Sequence, residues 1–203
     1  TIRERELILD LFEALVGARL LYGFFQVGGV RYDLPAGWAA TCRETVDLLE
    51  QRIGEYERML EDNPFFMARA EGVGVISRDL AEDVGISGPL LRGSGVAYDL
   101  RRADPYSAYE DFDFRVPVES SGDCFARYQV RMVEFRESLK IVRQVLDKLP
   151  EGPVSSRPGL KSVAQTRIPK GEAYVRVEGP RGEVGCYLIA DGSAKPYRMK
   201  WRG

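Results

Sequence analysis

The groups in this chain with chemistry to offer are carboxylates, guanidiniums, three thiols and several glycine-bearing turns. Glu178 and Glu183 flank Arg181 in what reads as a turn between two strands. Carboxylates so placed could serve as an acid–base pair, and an ion-paired turn is the simpler reading. Gly28-Gly29-Val30 and Arg92-Gly93-Ser94-Gly95 could cradle an anion through backbone N–H groups. Neither has the spacing of a nucleotide-binding loop, so tight turns with positive φ are the expected role. Arg101-Arg102 is a further anion-binding candidate, with exposed arginines as the plain alternative. Tyr22, Phe24 and Phe25 could wall a site for a flat apolar ligand or simply pack in the core. Glu4, Glu6, Asp10 and Glu13 read as the solvated face of a helix.

What is missing narrows the chemistry further. There is no histidine among the 203 residues. That excludes histidine metal ligands, Ser-His-Asp and Cys-His nucleophiles, and an imidazole switch near neutral pH. Cys42, Cys124 and Cys186 are far apart, odd in number and in no CxxC pattern. A disulfide framework, a zinc ribbon and an iron–sulfur site held by this chain all run against that spacing. Lys plus Arg number 29 and Asp plus Glu 31, for a net charge of -2, so no nucleic-acid partner is expected. The longest apolar stretches fall well short of the roughly 20 residues of a membrane span, and no signal peptide is visible. The chain opens in what already reads as a helix, the expectation for a piece of something longer.

These groups must be positioned by the elements around them. Hydrophobic residues make up 44% and charged residues 30%, an ordinary globular composition. Ile8, Leu11, Phe12, Leu15 and Val16 recur at helical spacing, and the helix is expected to run to about Leu20 with Arg19 in its last turn. A loop or hairpin follows, turning at Gly28-Gly29. Cys42, Val46, Leu49, Ile53, Tyr56 and Leu60 form a narrow seam on a second helix, Trp38 to Asp62, which Asn63-Pro64 ends. Pro64 to Ala70 reads as a short helix. Residues 71–121 read as an irregular, glycine-rich insert containing one short helix capped by Ser77. Phe125, Met132, Phe135, Leu139, Val142 and Leu146 form a second long seam, capped by Ser121 or Asp123. From Glu172 the period changes to two, giving three strands joined at EGPRGE and ADGSAKP. The expected organisation is a helical bundle over residues 1–150, a linker over 151–170 and a small antiparallel β meander over 171–203. The fold class is therefore mainly α with a small antiparallel β meander.

Taken in order, the segments RERELILDLFEALVGAR, VGGVRYDLP, GVGVIS, SGPLLRGSGVAYDLRRADPYSAYEDFDF, VRMVEFRESLKIVRQVLDKLPEGPV and GEAYVRVEGPRGEVGCYLIADGSAKPYRMK resemble the quinone-module subunit of NADH-quinone oxidoreductase, respiratory complex I. That subunit is related to the large subunit of nickel–iron hydrogenases, which implies a hydrogenase-like helical bundle. The resemblance implies a place in the peripheral arm, at the cytoplasmic face of the inner membrane. There the subunit and an iron–sulfur partner form the quinone chamber, and quinone reduction drives proton translocation. No cofactor is then bound by this chain itself: the quinone lies at the subunit interface and the iron–sulfur cluster in the partner.

The resemblance covers the middle and later part of the family. The N-terminal sheet with the histidine loop and tyrosine that approach the quinone headgroup has no counterpart here, so no headgroup ligand is assigned. Many members carry a histidine at the position of Leu21 or Tyr22, facing the terminal cluster, and an arginine at that of Gln26; this chain departs at each. The positions implied to lie near quinone or cluster are Arg19, Leu21, Tyr22, Gln26, Gly28, Gly29, Arg92, Arg181 and Glu183. Gly93, Gly95 and Gly182 are implied as structural loop glycines. Arg92 and Arg181 are the expected electrostatic supports, each as a buried guanidinium with several fixed donors. The alternative reading is a non-catalytic scaffold or assembly paralogue that has lost the quinone-reducing groups.

Overall fold

A computed structural model of the chain describes residues 2–156 and 168–203. The elements are α1 (Ile2–Val16), β1 (Phe25–Gln26), β2 (Gly29–Val30), α2 (Trp38–Glu61), α3 (Pro64–Ala70), α4 (Arg78–Asp83), α5 (Pro89–Gly93), α6 (Leu100–Ala103), a 3-10 turn (Tyr109–Asp111), α7 (Cys124–Asp147), β3 (Gly171–Gly179), β4 (Gly182–Ala190) and β5 (Arg198–Arg202). The structure is mainly α with small antiparallel sheets, as the periodicities predict.

The core lies between α1, α2 and α7. Leu11, Cys42, Val46, Leu49 and Ile53 pack against Leu139 and Leu146, with Met132, Phe135 and Val142 at the margin. Both seams therefore meet as their spacing requires. α2 and α7 have 24 residues each and are about 36 Å long. Outside the core they are laced by ion pairs: Arg143 to Asp47 and Arg43 to Asp147, at 2.7 and 2.8 Å, and Arg136 to Glu57.

Helix ends follow local chemistry. Asp123, not Ser121, caps α7: its carboxylate accepts from the Ala126 N–H at 2.7 Å, while the Ser121 hydroxyl donates to it at 2.9 Å. Burial works against this carboxylate, yet the Ala126 and Gly72 N–H groups hold it below the usual range. Ser77 caps α4 by accepting from the Leu80 N–H at 3.3 Å. Asn63 caps α3, and Pro64 opens that helix where its missing N–H costs nothing. α1 ends earlier than its apolar spacing suggests. Gly17 turns into the left-handed region at φ 75°, which places Arg19 beyond the helix.

The stretch 71–121 is more ordered than its composition implies. Besides α4 it contains α5, α6 and the 3-10 turn. Its backbone is paired onto the start of α7: Cys124 N–H to Val73 O at 3.0 Å, Ile76 N–H to Gly122 O at 2.9 Å and Gly122 N–H to Gly93 O at 2.9 Å.

Strands β3, β4 and β5 form a three-stranded antiparallel sheet in sequence order. Its two faces are unlike. Arg176, Glu178, Glu183 and Arg202 face the helices, as their hydrogen bonds to α5, α6 and neighbouring loops show. Val175, Val177, Cys186, Leu188, Met199 and Trp201 share the opposite face by register, where Val175 and Trp201 are each 63% exposed. β1 and β2 form a hairpin whose second strand binds the segment after α7: Val30 N–H to Val154 O at 3.0 Å and Ser156 N–H to Gly28 O at 2.8 Å. The expected linker 151–170 thus begins tied down, and its residues 157–167 lie outside the described residues.

Replacing Ile53, which is fully buried, by alanine should cost about 2–5 kcal/mol of stability in urea titration. Phe65→Ala, at an exposed side chain, should stay within about 0.5 kcal/mol of the parent.

Candidate functional site

Two groups of the implied residues come together, and they do different things. The first surrounds the β1–β2 hairpin. Arg19 folds back over α1 and donates to Asp10 at 2.6 Å, Glu13 at 2.8 Å and Glu6 at 2.5 Å. Three of the four carboxylates expected on a solvated face therefore form a clamp, and Glu13, Asp10 and Glu6 together hold the Arg19 guanidinium firmly protonated. The fourth, Glu4, is buried and accepts from Arg3. Beyond the clamp, Leu21 is 84% exposed, and Tyr22, itself 46% exposed, lies against Phe12 with ring centroids 4.5 Å apart.

Gln26 does not project toward solvent. Its amide donates to Val30 O at 3.1 Å and to the Ser155 hydroxyl at 3.5 Å, within the hairpin and its partner strand. Gly29, at φ 145°, lies so close to that partner strand that a Cβ would sit 2.3 Å from Val154 O. Gly28 supplies the carbonyl that accepts from Ser156. The glycines here serve backbone approach, in line with their expected turn role.

Tyr22, Phe24 and Phe25 do not wall one site. Phe24 lines a cavity of about 650 Å³ with Tyr32, Leu149, Pro150 and Val154. Phe25, 81% exposed, lines a separate one of about 820 Å³ with Tyr106, Tyr109, Phe112, Ile141 and Leu149.

The second group centres on Arg92, which is 1% exposed. Its Nε donates to Glu134 at 2.6 Å, and its Nη1 to Tyr98 O at 2.8 Å and Glu178 at 3.0 Å. Asp99 stands 3.6 Å away and is held by Arg101. Burial alone would raise the Asp99 carboxyl, but the Arg101 hydrogen bond and the Arg101 and Arg92 charges bring it below the usual range. The other carboxylate oxygen of Glu178 accepts from the Leu100 N–H at 3.2 Å, and the Glu178 N–H donates to the Tyr106 hydroxyl at 3.0 Å. The Arg101 and Arg102 side chains are taken up within the chain: both lie over the Phe114 ring, at 4.8 and 4.0 Å from its centroid.

Arg181 is the correction. It is exposed and has no ion pair among the described residues, so it is not the buried support its neighbour Gly182 suggests. Glu178 and Glu183 do not pair with it either. Glu183 accepts from Tyr174 at 3.0 Å and Arg176 at 3.3 Å, and its N–H donates to the Ser87 hydroxyl at 2.9 Å. The turn is instead held by contact: Gly182 and Gly88 pack so tightly that a Cβ on Gly88 would sit 2.4 Å from Gly182 Cα. Gly93 rests against Arg127, whereas Gly95, at φ 91°, faces open space. Sequence reasoning missed Glu134, Asp99 and Tyr106. Glu134 lies off the apolar seam of its helix, beside Phe135, so its spacing gave no sign of the buried arginine it meets.

The thiols do not assemble. Cys42 is in α2, Cys124 opens α7 and Cys186 is in β4. Among the described residues no three of His, Cys, Asp and Glu are grouped to hold a metal ion. The residues present thus do not fit a resident iron–sulfur cluster.

Arg92→Leu should cost about 3–5 kcal/mol in chemical denaturation, because three buried carboxylates lose their shared cation. Arg181→Ala should change stability by less than about 0.5 kcal/mol.

Known proteins match this chain along its whole length. The family model for the respiratory-chain NADH dehydrogenase 49 Kd subunit matches residues 1–203. A subunit of the NADH-quinone oxidoreductase of Desulforamulus reducens is 45% identical over 202 residues, covering 100% of this chain and 54% of that protein. A subunit of the NAD(P)H-quinone oxidoreductase of Nostoc punctiforme is 48% identical, covering 98% of this chain and 56% of that protein. A chain of the membrane-bound sulfane sulfur reductase, an archaeal respiratory membrane complex, superposes with a TM-score of 0.93 at 40% identity, covering 100% of this chain and 55% of its own. The chain spans about half the length of the relatives it matches, and over that span it belongs to the 49 kDa subunit family of respiratory NADH dehydrogenases.

Proposed function

We propose that this chain contributes to the quinone-reducing module of a complex I type enzyme, as the hydrogenase-like subunit seated beside an iron–sulfur partner. The observation that carries the reading is the bare apolar rim at residues 20–27. Leu20, Leu21, Phe25 and Val27 are exposed together on a hairpin that is itself anchored to Val154 and Ser156. An apolar patch on an anchored loop suits a protein interface. In this reading Leu21 and Phe25 press on the partner that carries the cluster, and Arg19, fixed by three carboxylates, holds the base of that loop. Arg92 and Glu183 support the fold behind it without touching the acceptor, and Arg181 is available to contact a partner. A cluster in the partner would supply electrons to a quinone at the interface, and the part of this chain's own residues would be to exclude water and set the approach.

No helix among the described residues is long and apolar enough to cross a membrane; the reading places the chain peripherally in a membrane-bound assembly, and the cytoplasmic face is part of the proposal. The matches to named oxidoreductase subunits weigh against the non-catalytic scaffold alternative. The archaeal neighbour is named for sulfane sulfur rather than quinone, so the acceptor is an explicit arm of the test.

In the assembled complex, Leu21→Asp with Phe25→Asp should reduce co-purification of the iron–sulfur subunit at least about tenfold, the equivalent of about 1.4 kcal/mol, with the circular dichroism of the isolated chain unchanged. Parent complex should reduce a soluble quinone and not polysulfide. Full retention of the partner by the double variant, or polysulfide as the sole acceptor, would overturn the respective part of the reading. The isolated chain should reduce neither.

A further inference from the structure

Where α5, α6, α7 and β3 converge, Arg92 and Arg101 meet Asp99, Glu134 and Glu178. Two cations are thus ion-paired with three carboxylates, so within the paired network negative charge is in excess, and Arg131, which lines the adjoining cavity, is ion-paired with none of the three. Such an excess is costly, and binding one proton removes it.

Geometry selects the carboxylate. Asp99 accepts on Oδ1 from the Arg101 N–H at 2.9 Å and Nε at 3.0 Å, and on Oδ2 from Arg101 Nη2 at 2.7 Å. Glu178 accepts on Oε1 from Arg92 and on Oε2 from the Leu100 N–H. A proton on either would confront a donor. Glu134 accepts from Arg92 Nε on Oε1 only, and its Oε2 meets no donor among the described residues. Its side chain is also the most accessible of the three, at 16% against 1% for Asp99 and 4% for Glu178. It lines a half-open cavity of about 380 Å³ with Arg92, Arg131, Ser138 and Glu178, through which water can deliver a proton.

We propose that Glu134 is a proton-binding site, its Oε2 loading from solvent in this cavity and leaving the buried cluster electrically balanced. The charged groups facing it are Arg92 from α5, Asp99 and Arg101 from α6 and its cap, and Glu178 from β3. On α7 itself Arg131 stands at the cavity mouth, where its guanidinium donates to Arg127 O at 3.1 Å rather than to Glu134. Burial raises the Glu134 carboxyl above the ordinary carboxylate range, Arg92 offsets part of that, and Asp99 adds to it.

The sign of the linkage follows. A carboxyl raised in the folded state contributes its stability in full below its unfolded value and loses it as pH rises through its folded value. Asp99, held low, acts in the opposite sense and cannot produce a loss on the alkaline side.

The test uses the 203-residue chain and does not depend on the function proposed above. Carboxyl carbons of glutamate are followed by NMR in the parent, with the Glu134 resonance assigned by its disappearance in Glu134→Gln. Urea denaturation is then run on both chains from about pH 4 to about pH 9. The proposal expects the Glu134 resonance to titrate above the other glutamates. It also expects Glu134→Gln to match the parent at the acid end and to exceed it at the alkaline end, the parent's stability falling with pH by an extra slope of at most about one proton per chain. A Glu134 resonance ionised across the whole range overturns the proposal. So does a Glu134→Gln chain that is less stable at every pH or does not fold, since that outcome makes the carboxylate an obligatory ion-pair partner of Arg92.

Discussion

The structure depends on one buried guanidinium. Arg92 reaches α7 through Glu134, the start of α6 through the Tyr98 carbonyl, and β3 through Glu178. The apolar cluster between α1, α2 and α7 contains no residue of the three-stranded sheet, so the sheet does not share the contacts that hold these helices. It is held by charge and hydrogen bonding: Arg92 to Glu178, Arg176 to Asp104, the Glu183 N–H to the Ser87 hydroxyl and Arg202 to Gly85 O. An arginine suits the central position because its fork presents several donors in fixed directions. A lysine would offer a point charge and could not reach three elements at once.

The sheet is accordingly turned inside out relative to an ordinary half-buried sheet. Its charged residues face the protein and its Val, Leu, Met and Trp face away. In a monomeric protein that arrangement leaves apolar surface in water with no return. In a member of a family whose relatives belong to respiratory oxidoreductases, a polar inner seam and an apolar outer face divide the labour. The first fixes the sheet to its own chain, and the second remains available for what lies beyond it.

The two long helices were legible from spacing because a seam repeating every three and four residues has only one way to be buried. The α4 cap was legible because Ser77 offers an oxygen at the right offset from a free N–H, whereas the α7 cap stayed open between Ser121 and Asp123 until the fold showed Asp123 taking the Ala126 N–H. The meander was legible from its period of two, although the pattern is silent on which face turns inward, and here the apolar side is the exposed one. The short helices α5 and α6 were hidden by glycine and proline content. Tertiary hydrogen bonds, from the Gly122 N–H to Gly93 O and from the Leu100 N–H to Glu178, stabilise what local propensity does not. Arg92 and Arg181 look alike in sequence, each beside a glycine. Only the packing of Gly88 on Gly182 shows why the second turn needs no salt bridge and leaves its arginine outside. For Leu21 and its neighbours the resemblance gave an expected place near the cluster, and the fold adds only that the loop bearing them is exposed and anchored.

The hydrogen bonds between the β1–β2 hairpin and residues 154–156 have a topological consequence. They close residues 28–156 into a ring, and both flanks of that ring pack back onto it: α1 through Leu11 in the core, and β3 through Glu178 on Arg92. A break in the backbone inside the ring would leave its two pieces still joined at the closure.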